Sequence, residues 1–175
     1  MHDTRDYFVI VAFRSLDDLK KRMVSDCIDE EIIKKMRFDI NDNGSSLFEF
    51  AIANRNYEIA HWLMDINTPV NIITKDGFNE MHIIAADIRN IDAVTIANWL
   101  LEQGVSLTQK DKKYGNTAML TLAIEVLKRK TSENLDFIKK CADKKQGLFE
   151  KNKAGVCAND ILIKLLQCGA IGDNM

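Results

Sequence analysis

The sequence predicts an all-α fold, built as an array of stacked helix–turn–helix repeats, and three observations carry that prediction. Gly44 and Gly77 stand 33 residues apart, each followed two positions later by a helix-capping residue, Ser46 or Asn79, and then by an apolar anchor, Phe48 or Met81. Downstream, Ile59-Ala60-His61-Trp62-Leu63-Met64-Asp65-Ile66-Asn67 aligns with Ile96-Ala97-Asn98-Trp99-Leu100-Leu101-Glu102-Gln103-Gly104, with Ile, Ala, Trp and Leu identical in register. The two stretches close on Asn67 and Gly104, the residue types that best tolerate a left-handed conformation at a helix C-terminus.

Taken in order, Tyr7 to Met23 reads as two short helices broken at Arg14-Ser15, with Leu16, Leu19 and Met23 on one face of the second. Ile28 to Met36 forms a third apolar-spaced segment. Residues 41–75 and 76–110 are the two clear repeats. A third, 111–153, opens at Gly115 with Asn116-Thr117-Ala118-Met119-Leu120-Thr121-Leu122-Ala123 in the same turn, cap and anchor order. Its second helix is placed at about Asn134 to Lys144, after an exposed linker from Lys128 to Glu133. From Gly155 to Gly169 there is room for one helix, so 154–175 reads as a C-terminal cap and 1–40 as an N-terminal capping repeat of one domain, 1–175. Small residues, Ala51, Ala85, Ala86 and Ala123, fall where first helices of neighbouring repeats must approach. Trp62, Leu63, Trp99 and Leu100 fall where second helices fill the space between layers. Ser46, Asn79 and Thr117 can each accept a first-turn backbone N–H, worth about 1 kcal/mol apiece.

These residues resemble the ankyrin repeat, whose unit of roughly 33 residues is a β-turn followed by two antiparallel helices with Thr-Pro-Leu-His-x-Ala on the first. The match runs through Asp76-Gly77, the cap Asn79, Met81, His82, Ala85 and the Leu100-Leu101-Glu102-Gln103-Gly104 ending. The family's proline position holds Leu47, Glu80, Ala118 and Ala158, and the histidine survives at His82 alone. The resemblance implies an ankyrin-like solenoid with short inter-repeat turns. It also implies a structural role for His82, bridging the turns of adjacent repeats.

Composition bounds the function classes. Of 175 residues, 46% are hydrophobic and 29% charged, enough for a sizeable core. A net charge of −2 argues against nucleic acid or an anionic membrane as partner. No run approaches the roughly 18 apolar residues of a membrane span, and Phe8 to Phe13, preceded by Asp3, Arg5 and Asp6, does not make a signal peptide. Cys27, Cys141, Cys157 and Cys168 are scattered without a Cys-x-x-Cys pair, which reads as reduced, small, buried residues of a cytoplasmic protein.

Catalytic candidates are few. The histidines are His2, His61 and His82, and no nucleotide-binding glycine pattern or nucleophile–base motif accompanies them. Asp17-Asp18 and Glu30-Glu31 are consecutive and diverge on a helix. The expectation is a non-enzymatic binding module with no cofactor and no metal, monomeric when free. Its contact residues should lie on the turn tips, at Asp42, Asn43, Lys75, Asp76, Lys112, Lys113 and Tyr114. Late positions of the first helices would complete a concave face, at Asn54, Arg55, Asp87, Arg89, Asn90, Lys128 and Arg129. The resemblance and the size imply one protein partner. Small stand-alone bacterial arrays of this family are often immunity proteins that neutralise a cognate toxin; the alternative is an adaptor or effector that redirects a host or cellular partner.

Overall fold

Helix starts are written in the capping residues. Ser46 Oγ accepts the Glu49 N–H at 3.1 Å while the Glu49 carboxylate accepts the Ser46 N–H at 2.9 Å, and Asn79 and Thr117 accept from His82 and Leu120 at 3.3 and 3.0 Å. Helix ends are closed as consistently. Asn67 (φ +55°) and Gly104 (φ +76°) turn the chain left-handed, so that the following N–H groups reach back to Leu63 O and Leu100 O.

A computed structural model describes residues 5–170, and among them the regular structure is all-helical apart from two isolated β-bridges, Ile40–Ser46 and Lys110–Thr117. His2 and the last five residues of the expected C-terminal cap lie outside the described residues. The helices are α1 (Arg5–Phe13), α2 (Leu16–Ser25), α3 (Glu30–Met36), α4 (Leu47–Ala53), α5 (Tyr57–Asp65), α6 (Glu80–Ala85), α7 (Ile91–Glu102), α8 (Ala118–Lys128), α9 (Ser132–Asp143) and α10 (Ala158–Gln167). They group into two compact units, divided between Thr74 and Lys75.

In the first unit α1 packs against α2 and α4, α4 against α5, and α2 touches α5. Tyr7, Val11, Leu19, Met23, Leu47 and Leu63 fill the centre, and the Phe8 and Phe50 rings meet edge-on at 5.5 Å. Polar ties fix the helix ends. Asn56 Nδ2 donates to Val11 O and Arg14 O, and Arg37 Nη1 donates to Ile66 O and Asn67 O, which closes α5. The Tyr7 hydroxyl donates to Asp26 at 2.8 Å, and burial, reinforced by that carboxylate, pushes its pKa up to about 12.

In the second unit α8 is central. It packs against α6, α9 and α10, while α7 packs against α6 and α9, so first helices form one row and second helices another. Met81, Ile84, Ile96, Leu100, Met119 and Phe137 are fully buried between them. The anchors expected from the repeat therefore lie in the core. Close approach is extreme at Gly147 (φ +69°), where a Cβ would fall 2.5 Å from Leu107 O.

Four expectations are corrected by packing. The α9 helix starts at Ser132 because Thr131 and Asn134 cap each other reciprocally, at 3.2 and 3.0 Å, and Asn134 Nδ2 donates to Arg129 O; the linker shrinks to Arg129-Lys130. Ala86 is exposed, because α6 ends at Ala85 and Ala86 is its cap rather than a packing residue. Trp62 and Trp99 are only half-buried; Leu63 and Leu100 beside them are the residues driven fully inside. Cys141 and Cys157 are buried as expected, but Cys27 and Cys168 follow helix ends and are exposed.

Candidate interaction surface

The turns that precede α4, α8 and α10 share one construction. Asn41 and Asn152 each accept two backbone N–H groups on one side-chain oxygen, from Asn43 and Ser45 and from Ala154 and Val156, at 2.9–3.0 Å. Asp111 does the same with two oxygens, taking the Tyr114 N–H at 2.6 Å and the Asn116 N–H at 2.8 Å. These anchors were not singled out in the sequence. Their signal was present, an Asn or Asp three or four residues before Gly44, Gly115 and Gly155.

In the second unit successive turns are joined through their backbones. The Lys112 N–H donates to Asp76 O at 2.8 Å and the Lys153 N–H to Tyr114 O at 2.9 Å. Gly77 (φ +85°) is required here, because a Cβ would lie 2.8 Å from Lys110 O. Side chains reinforce the seam: Gln109 Nε2 donates to Gly77 O at 3.0 Å, and Asn152 Nδ2 to Asn116 Oδ1 at 2.7 Å.

His82 belongs to the same seam. It is buried at 5% exposure, its Nε2 lies 3.2 Å from Asn116 O in the next turn, and its Nδ1 faces the Asn79 cap. Each ring nitrogen faces an oxygen that only accepts, Nε2 the Asn116 carbonyl and Nδ1 the Asn79 side chain at 2.8 Å, so a neutral ring donates to one of the two. Nδ1 is also 3.3 Å from the Asn79 N–H. Burial lowers its pKa below the usual imidazole value, against smaller opposing effects of the Asn116 hydrogen bond and Asp111. Cys141 is likewise held as a thiol, its pKa pushed up to about 12 by burial. Among the described residues no group of three or more His, Cys, Asp or Glu could hold a metal ion, and no helix is long and apolar enough to cross a membrane.

The expected contact residues divide sharply. Lys75, Asp76, Lys112, Lys113 and Tyr114 are exposed on the joined turns, with the Lys113 ammonium 4.9 Å from the Tyr114 ring centroid. Tyr114 also lines a groove of about 340 Å³ with Asn116, Thr121, Ile124, Glu125, Lys128 and Asn152, so the structure brings Lys128 onto the same hollow. Lys128 pairs with Glu125 at 2.6 Å, an exposed contact of little energetic weight. Arg129 is exposed as the cap of α8.

Asp87 is a correction: it is only 7% exposed, in the bend after α6, and its carboxylate lies 3.8 Å from exposed Arg89. Asp87 falls in the turn after the short α6 and is buried there rather than exposed on the face where the sequence placed it. Asn90 is half-buried and caps α7 through the Asp92 N–H at 2.8 Å. In the first unit Asp42, Asn43, Asn54 and Arg55 are exposed. Asn54 Nδ2 donates to Phe50 O, and Arg55 adopts φ +60°.

No protein-family model matches this chain, and no curated protein matches it.

Proposed function

We propose that the chain is an ankyrin-type repeat array that acts without catalysis, holding one protein partner against its turn tips and the groove beside them. The observation that carries this reading is the joined turn edge of the second unit. Buried groups, Asp111, His82 and Gly77, are committed to building it, while Lys112, Lys113 and Tyr114 are left exposed on top. A rigid edge of this kind lowers the ordering cost of association, and an exposed tyrosine is a residue type that concentrates binding energy. The internal spacing of the repeats, the two rows of helices and the His82 bridge support the family assignment. The chain's size and the resemblance support the narrower role of an immunity protein that blocks a cognate toxin.

The test is capture of the product of the neighbouring gene by co-expression and co-purification. Lys112→Glu and Lys113→Glu combined with Tyr114→Ala should abolish capture and leave the melting curve unchanged. Undiminished capture by this variant would remove the turn edge from the site.

A further inference from the structure

Lysines crowd the turn edge of the second unit. Lys75, Lys110, Lys112, Lys113, Lys151 and Lys153 are all exposed on the three turns joined by backbone hydrogen bonds. Against them stand exposed Asp76 and Glu150, with Asp111 buried beneath its own turn. The edge is thus cationic on a chain whose formal net charge is −2.

Two of these ammonium groups are held in place. Lys110 Nζ donates to Lys151 O at 2.9 Å, and Lys153 Nζ donates to Lys112 O and Lys113 O at 2.6 and 3.1 Å. The acceptors are neutral carbonyls, so position is fixed while the charge is not cancelled, and a pre-positioned lysine loses less side-chain freedom on meeting an anion. Tyr114, 55% exposed, stands among them and opens onto the groove that Thr121 and Ile124 line.

We infer that this edge takes an acidic protein segment, its carboxylates on the lysine tips and an apolar or aromatic side chain in the groove against Tyr114 and Ile124. The inference rests on the protein-binding reading and names the chemistry of the partner. Nucleic acid is the competing polyanion, and the composition of the edge favours it less. The three turns carry no arginine, Asp76 and Glu150 interrupt the cationic track, Glu125 lines the groove, and the whole chain is negative.

The experiment uses the full chain and three fluorescein-labelled probes. They are an acidic peptide of about 15 residues mixing Glu and Asp with Leu and Phe, the same peptide with Gln and Asn for the acids, and a single-stranded oligonucleotide of similar length. Anisotropy is read at about 20 and about 200 mM salt, which spans strong to weak screening. Amide shifts in ¹⁵N-labelled protein locate the contact. The acidic peptide should bind about tenfold tighter than the neutral one and weaken with salt. It should perturb residues 110–116 and 151–156, and lose binding with Lys112→Glu/Lys113→Glu but keep it with Lys20→Glu/Lys21→Glu on exposed α2 positions. An acidic peptide no better than the neutral one, an oligonucleotide that binds more tightly, or shifts elsewhere overturns the inference. Failure of the broader reading looks different, as no captured neighbour at all. A captured partner whose release ignores both salt and charge reversal sinks the acidic chemistry alone.

Discussion

Replacing Asp111 tests how the binding edge is held, and the structure sets both size and sign. Asp111 is 4% exposed and accepts the Tyr114 and Asn116 N–H groups on separate oxygens, at 2.6 and 2.8 Å. Hydrogen bonds to a charged group contribute about 1.5–3 kcal/mol each. Tyr114 lies at an exposed tip, so water would recover part of that loss, and Asp111→Ala should cost about 2–4 kcal/mol. The informative variant is Asp111→Asn. At Asn41 and Asn152 a single amide oxygen serves both N–H groups, two and four residues on; after Asp111 they are three and five residues on, in a turn one residue longer. The wider turn needs both carboxylate oxygens, and an amide would set an N–H donor against a backbone N–H. Asp111→Asn should therefore cost about 1–3 kcal/mol, whereas Asn41→Asp, which keeps its acceptor oxygen for the Asn43 and Ser45 N–H groups, should stay within about 0.5 kcal/mol. Urea melts give the totals, and amide hydrogen exchange at Tyr114 and Asn116 reports the local opening. A neutral Asp111→Asn variant with unchanged exchange would refute the two-oxygen account.

Two further outcomes follow from the core and from the seam. Leu100 is fully buried, so Leu100→Ala should destabilise the protein by about 2–5 kcal/mol, read by denaturant midpoint; a loss under about 1 kcal/mol would mean the site collapses around the change. His82 is held neutral by burial, while in the unfolded chain it titrates near about 6.5. The unfolded state therefore binds the proton first as pH falls, and stability drops from about pH 7.5 downward through that range. Subtracting the pH profile of His82→Gln isolates this contribution from those of other groups. A difference profile that is flat or rises toward acid between about pH 8 and 5 would contradict the buried neutral ring.

Much of this protein was legible in its sequence because the signals involved are local. A cap such as Ser46, Asn79 or Thr117 acts within one helical turn, and a closing Asn67 or Gly104 acts on its own φ. Apolar anchors at helical spacing, Phe48, Met81 and Met119, go inside for want of any other favourable place. The sequence by itself therefore determined the helices, the inward faces and the glycine-marked turns; a limit it missed is the start of α7, whose repeat match begins at Ile96 while the helix begins at Ile91 behind its cap Asn90.

What the tertiary structure alone decided depends on residues far apart in the chain. The burial of Asp87 and the half-exposure of the two tryptophans depend on what packs beside them, which no local pattern states. The cationic edge arises because Lys110 and Lys151, 41 residues apart, meet in adjacent turns, and so do Lys113 and Lys153. The repeat pattern already places Lys75, Lys112 and Lys113 on turn tips, but along the chain the lysines alternate with acids and read as a mixed surface. Stacking the turns selects one residue in a few for the same edge, turns the acid of Asp111 inward to hold the backbone, and leaves the positive charges facing out.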